Sequence, residues 1–103
     1  KDDAAIKNAV KNLLVSNFFE RPFQPTLGAN LRGLLFEPAD AITKIDLREG
    51  IERVLRDHEP RIRVLNIKVL DEPDNNSYRI TVNFLIKEYD TAESVEIILR
   101  RLR

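Results

Sequence analysis

The side chains that could do chemistry are few, and their spacing narrows what that chemistry could be. The chain has no cysteine and a single histidine, His58, beside 17 acidic and 17 basic residues. Thiolate nucleophiles, disulfides and cysteine-based metal sites are therefore excluded, and one histidine cannot build a histidine cluster. No Gly-x-Ser-x-Gly nucleophile motif occurs. Gly28 and Gly33 lack the Gly-Lys-Ser/Thr ending that grips phosphates. No cofactor, metal or catalytic residue is expected. What remains is a pair of carboxylates of the glycosidase kind, which needs roughly 5–9.5 Å across a cleft. Glu20, Glu37 and Glu59 lie beside apolar or proline-rich stretches and are the candidates, but a chain of 103 residues offers little cleft. His58 closes an apolar helical stripe and reads as a packed or capping residue at a helix C-terminus. Glu59-Pro60-Arg61 has two readings. It is either an internal salt bridge with a helix stop, or a fixed charged knuckle that docks on another protein.

These residues are placed by a chain whose hydrophobic period changes from helical to strand-like. Asp3 to Asn17 predicts a helix, with Ile6, Val10, Leu13 and Leu14 on one stripe and Asp2 and Asp3 at its positive end. Glu20 to Pro38 follows as an ordered connector whose apolar side chains are expected to plug into a core. It holds three of the five prolines and two of the three glycines, among Phe23, Leu27, Leu31, Leu34, Leu35 and Phe36. A short helix, Leu31 to Phe36, is expected to start from Asn30 as N-cap and to stop before Pro38. A third helix runs from about Lys44 to His58, capped by Thr43 with Asp46 three residues on. Its stripe is Leu47, Ile51, Val54, Leu55 and His58, and Gly50 within it implies close approach of another backbone. Pro60 ends it.

Alternation then takes over. Tyr78, Ile80, Val82, Phe84 and Ile86 predict a half-buried strand. Leu65, Ile67 and Val69 form an earlier one, with Ile62 and Val64 in the opposite phase, so a bulge or bend is expected near Val64–Leu65. A tight turn centred on Asn75 and Asn76 pairs Ile67 with Phe84 and Val69 with Val82. A last strand, Val95 to Leu102, connected around Asp90 and Thr91, sets Ile97 opposite Phe84 and Leu99 opposite Val82. The expected fold class is α+β, with about three helices packed on one face of a three-stranded antiparallel β-meander, in a single domain spanning residues 1–103. Leu70, Leu85, Ile98 and Leu102 fall in the phase of the other sheet face. They are either scattered exposed residues or a second surface covered by a partner. The terminal strand is expected at a sheet edge, able to accept a strand from another chain.

Formal net charge is zero, which gives no basic excess for nucleic acid or an anionic membrane. Arg100, Arg101 and Arg103 form the one basic cluster. Little self-repulsion suits an assembly component. No apolar run approaches the ~18 residues of a membrane span, and no signal pattern is visible. Lys1 rather than Met opens the sequence, as in a trimmed chain.

Several of these segments together carry a resemblance. Ala5 to Leu14, then Glu20-Arg21-Pro22-Phe23, Pro25, Gly28 and Leu34-Leu35-Phe36-Glu37-Pro38, then Glu59-Pro60-Arg61-Ile62 and the strands, resemble the short baseplate wedge protein of contractile-tailed phages. The related baseplate subunit of type VI secretion systems belongs to the same family. The resemblance spans about residues 4–103. The chain departs from it at Asn17-Phe18-Phe19, where the family often has a small glycine turn, and at His58, where an aromatic is common.

The resemblance implies a non-enzymatic structural subunit of the baseplate wedge, located in the virion tail and assembled in the host cytoplasm. Its partners would be other wedge proteins and the tail sheath subunit, whose first ring it would anchor or template by strand addition. The residues expected at partner contacts are Glu59, Pro60, Arg61, Leu85, Glu96, Ile98, Arg100 and Leu102. Three other readings stand beside it: a lysozyme-like hydrolase using Glu20, Glu37 or Glu59, a type VI secretion baseplate subunit, and a regulatory module similar to a bacterial anti-adapter that blocks proteolysis of a sigma factor.

Overall fold

The structure is a computed structural model, described here for residues 3–19 and 31–102. Helix α1 spans Asp3–Phe19, α2 Leu31–Leu34 and α3 Ala41–His58; strands β1 Ile62–Glu72, β2 Ser77–Ile86 and β3 Thr91–Arg100 follow. The strands form one antiparallel sheet in the order β1-β2-β3. This is the α+β arrangement that the change of period implies. Asn30 and the connector from Glu20 to Asn30, including Phe23 and Leu27, lie outside the described residues.

The core is built from one stripe per helix and one face of the sheet. Ile6, Val10, Leu14 and Phe18 come from α1, Leu31 from α2 and Leu35 just after it, and Leu47, Ile51, Val54 and Leu55 from α3. They meet Tyr78, Ile80, Val82, Phe84 and Ile86 of the central strand, flanked by Ile62, Ile67, Ile97 and Leu99. Each fully buried aliphatic or aromatic side chain of this kind stabilises the fold by about 1.5–3 kcal/mol relative to exposure. Helix α1 runs two residues past Asn17. Phe18 continues the buried stripe one turn beyond Leu14.

Several local expectations are corrected. The N-cap of α3 is Asp40, not Thr43: its Oδ1 accepts from the Thr43 N–H at 2.9 Å, while its carbonyl accepts the Lys44 N–H at 3.1 Å. Asp40 therefore takes the role of satisfying orphan N–H groups, and Thr43 is buried inside the first turn. That hydrogen bond also holds the Asp40 carboxyl below its ordinary pKa. His58 is exposed and does not belong to the buried stripe. It sits in the last turn with Arg56, where a cation suits the helix dipole. Phe36 is exposed rather than plugged into the core.

The strand faces follow the alternation, but the registers do not follow the predicted turns. Ile67 pairs with Val82 and Val69 with Ile80, two residues from the expected partners. A 3-10 turn at Pro73–Asn75, closed by Asn76 at φ 52°, lets β1 extend to Glu72. The second hairpin is displaced by four: Ile97 pairs with Ile80 and Leu99 with Tyr78. Its turn occupies Lys87 to Asp90, with Asp90 at φ 57° and its N–H donating to the Ile86 carbonyl at 2.8 Å. Strand β3 thus begins at Thr91 rather than Val95. Both displacements are even, so the paired apolar residues named above keep their face. The expected bulge is present, with a register shift between Val64 and Asn66. Leu65 is the extra residue and turns outward, not inward with Ile67.

Leu102 is also corrected. The chain leaves the sheet after Arg100, the Leu102 N–H donates to the Leu35 carbonyl at 2.8 Å, and the Leu102 side chain packs on the core margin. It is therefore not part of the outer sheet face.

Candidate protein-protein interfaces

Three surfaces stand out. The first is the knuckle between α3 and β1. Glu59 closes α3, its N–H donating to the Leu55 carbonyl at 2.9 Å, and only 5% of the residue is exposed. Pro60 turns the chain away, since its ring carries no N–H to continue the helix. Arg61 then reaches back: Nε donates to Glu59 Oε2 at 2.6 Å and Nη2 to Oε1 at 3.0 Å. The Arg61 carbonyl accepts the Lys87 N–H at 3.0 Å, which ties the knuckle to the far end of β2. This paired guanidinium holds the Glu59 carboxyl below its ordinary pKa against the opposing effect of burial. The tripeptide is thus an internal bidentate salt bridge and helix stop, with Pro60 and the Arg61 side chain facing outward.

The second surface is the outer face of the sheet. The pairings set Leu70, Arg79 and Ile98 in one row across the three strands, and Lys68, Thr81 and Glu96 in the next. Arg79, at the centre, donates from Nε to Glu72 at 2.8 Å and from Nη1 to Glu96, so two diagonal carboxylates brace one guanidinium. Those bonds, Glu72 first, hold Arg79 above its ordinary pKa. Leu70 is 47% exposed and Ile98 50%, on either side of it. The expected contact residues Glu96, Ile98 and Arg100 are exposed here, and Leu85 is half-buried in the row of Arg63 and Ala92. Glu72 and Arg79 were not among the sequence-derived candidates. Their signal was available only through register, because the brace exists only when Glu72 pairs beside the turn and Glu96 lies diagonal to Arg79.

The third surface lies on the helical side. A hollow of about 330 Å³ between α2 and α3 is lined by Gly33, Leu34, Glu37, Asp46, Glu49, Gly50 and Arg53. Gly50 is buried where α3 passes α2, the close approach that a glycine in a helix permits. Phe36, just after α2, and Ile42 and Ile45, in the first turns of α3, are exposed. Ile42 and Ile45 fall outside the core stripe of α3, a signal carried by their spacing in the sequence.

The two described candidates for hydrolysis, Glu37 and Glu59, do not share a hollow. Glu59 is locked to Arg61 and held ionised, which is unsuited to a general acid. Glu37 is exposed at the hollow, and Glu20 lies outside the described residues. Among the described residues no group of three His, Asp or Glu side chains could hold a metal, and no helix is long and apolar enough to cross a membrane.

Comparison with known proteins assigns this arrangement. The Geobacter sulfurreducens crystal structure of a protein described as a tail lysozyme superposes with a TM-score of 0.84, covering 100% of this chain and 94% of that one. At 16% identity that likeness establishes the fold alone. The baseplate wedge protein gp25 of Enterobacteria phage T4 is 30% identical over 98 residues, covering 95% of this chain and 73% of that protein. The family model described as baseplate wedge protein gp25 matches residues 1–91. The chain belongs to the gp25 family of baseplate wedge proteins.

Proposed function

We propose that the chain is a structural subunit of the baseplate wedge of a contractile phage tail, resident in the virion and anchoring the first ring of the tail sheath. In this reading Glu59, Pro60 and Arg61 meet the wedge core, while Leu85, Glu96, Ile98 and Arg100 meet the sheath subunit. The observation that carries it is the sheet. Among the described residues strand β3 is an edge with no neighbour beyond it, and beside it lies an outer face that no described helix covers. An edge strand offers unpaired backbone groups on which a strand from another chain can add. Strand β1 is the poorer template, because the bulge at Leu65 interrupts its regular ladder.

The test is assembly. Baseplates carrying Ile98→Asp are expected to incorporate the subunit but fail to nucleate sheath, and sheath of normal length on such baseplates would remove this face from the interface. A muramidase reading is supported only by the description of the structural neighbour. Peptidoglycan turnover by the purified protein that is lost in Glu37→Gln would revive it.

A further inference from the structure

We propose that free copies of this chain associate head to tail, the helical side of one copy seating on the outer sheet face of the next. This goes beyond the sheath-anchoring role and concerns the chain before it meets any partner. Two surfaces of the same molecule are complementary in layer, polarity and charge. Among the described residues the antiparallel sheet has helices on one face only, which leaves its other face open to a partner. Leu65, Leu70 and Ile98 are exposed on the uncovered face. Phe36, Ile42 and Ile45 are exposed on the helical side, Ile42 at 69%. Together they make the apolar centre that an interface needs.

The charges divide in the same way. On the sheet face Arg79 is already neutralised by Glu72 and Glu96, whereas Arg63, Lys68 and Arg100 form no ion pair among the described residues. Around the hollow, Glu37, Asp46 and Glu49 outnumber Arg53, and none of the four is in an ion pair among the described residues. An excess of cations with aliphatic neighbours on one side thus faces an excess of carboxylates with aliphatic neighbours on the other. Complementary patches favour encounter and fix orientation, and a chain of zero net charge opposes association little. Because the two patches differ, the contact is heterologous, and each added copy leaves one patch of each kind open. Docking of a sheath subunit would occupy the sheet face and end the series.

Sedimentation of the purified chain as a function of concentration and salt tests this, with two variants that each block one side. The wild type is expected to rise above the 11.9 kDa of one chain as concentration increases, and to return toward it in high salt. Ile42→Asp blocks the helical side and Ile98→Asp the sheet side. Each alone is expected to sediment as a monomer with an unchanged circular dichroism spectrum. Mixed in equal amounts, they are expected to form a species of twice the monomer mass and no larger, since one intact interface remains and the open ends are both acidic. A wild type that stays monomeric at every concentration overturns the proposal. So do folded variants that still associate alone, or that stay monomeric when mixed.

Discussion

The knuckle and the outer sheet face are both charged surfaces built around an arginine, and they are built in opposite ways. Arg61 reaches back two residues to a carboxylate that is almost wholly buried, so the charge pair belongs to the folded chain itself. Arg79 is braced by carboxylates at the surface, from a neighbouring strand on each side, and is bordered by exposed aliphatic side chains. The first arrangement makes position: a helix end and a strand start are locked at a fixed angle. The second leaves apolar area and uncompensated cations available to something else. A sequence alone ranks Glu59-Pro60-Arg61 as the more suggestive motif, yet its charges are largely consumed internally, whereas the less conspicuous sheet face remains open.

Mutations should separate the two regions, and the sharpest contrast lies between adjacent residues of β3. Leu99→Ala empties a fully buried site and is expected to cost about 2–5 kcal/mol, read from the midpoint of urea unfolding. Ile98→Ala, one residue away and half exposed, is expected to stay within about 0.5 kcal/mol of the wild type, as surface substitutions usually do. Equal losses would mean that the two faces are not distinct in the way the register requires.

The knuckle should respond with an intermediate effect. Arg61→Ala leaves the Glu59 carboxylate buried without its cation, an unmet group that costs about 1–3 kcal/mol, at the lower end because the Arg61 side chain is 55% exposed. Loss of stability therefore accompanies any loss of docking in this variant. Arg61→Lys, which keeps a charge but not the bidentate fork, is the cleaner probe of a wedge contact. Folded Arg61→Lys protein absent from baseplates would support a docking role, and normal incorporation would leave the knuckle purely internal.

A smaller effect follows from pH. The folded pKa of Glu59 is depressed by Arg61 below the ordinary glutamate value. Its contribution is thus fully present above the unfolded pKa and is lost as pH falls through the folded pKa. Chemical denaturation between neutral pH and the acid range should show part of the acid destabilisation missing in Glu59→Gln. An identical pH profile for wild type and variant would contradict the pairing.

Much of this fold is written in side-chain period. The stripes of α1 and α3, the inward face of β2 and the presence of a bulge near Val64 all follow from which positions are apolar, because burial acts on faces. Register does not follow from period, since a shift by an even number preserves every face. It was decided by two four-residue connections in which Asn76 and Asp90 adopt positive φ, and several placements of such residues are locally acceptable. The brace on Arg79 was illegible for that reason. The cap on α3 was misplaced because Thr43 and Asp40 both suit an N-terminus, and only the observed geometry selects between them. Ile42 and Ile45 were legible as residues off the core stripe.

The central claim is that the open sheet face, rather than the knuckle, receives the sheath. It is tested most directly by adding purified sheath subunits to baseplates that contain Ile98→Asp and measuring sheath length by electron microscopy. The account predicts baseplates that carry the subunit but no sheath. Sheaths of wild-type length and number on those baseplates would contradict it.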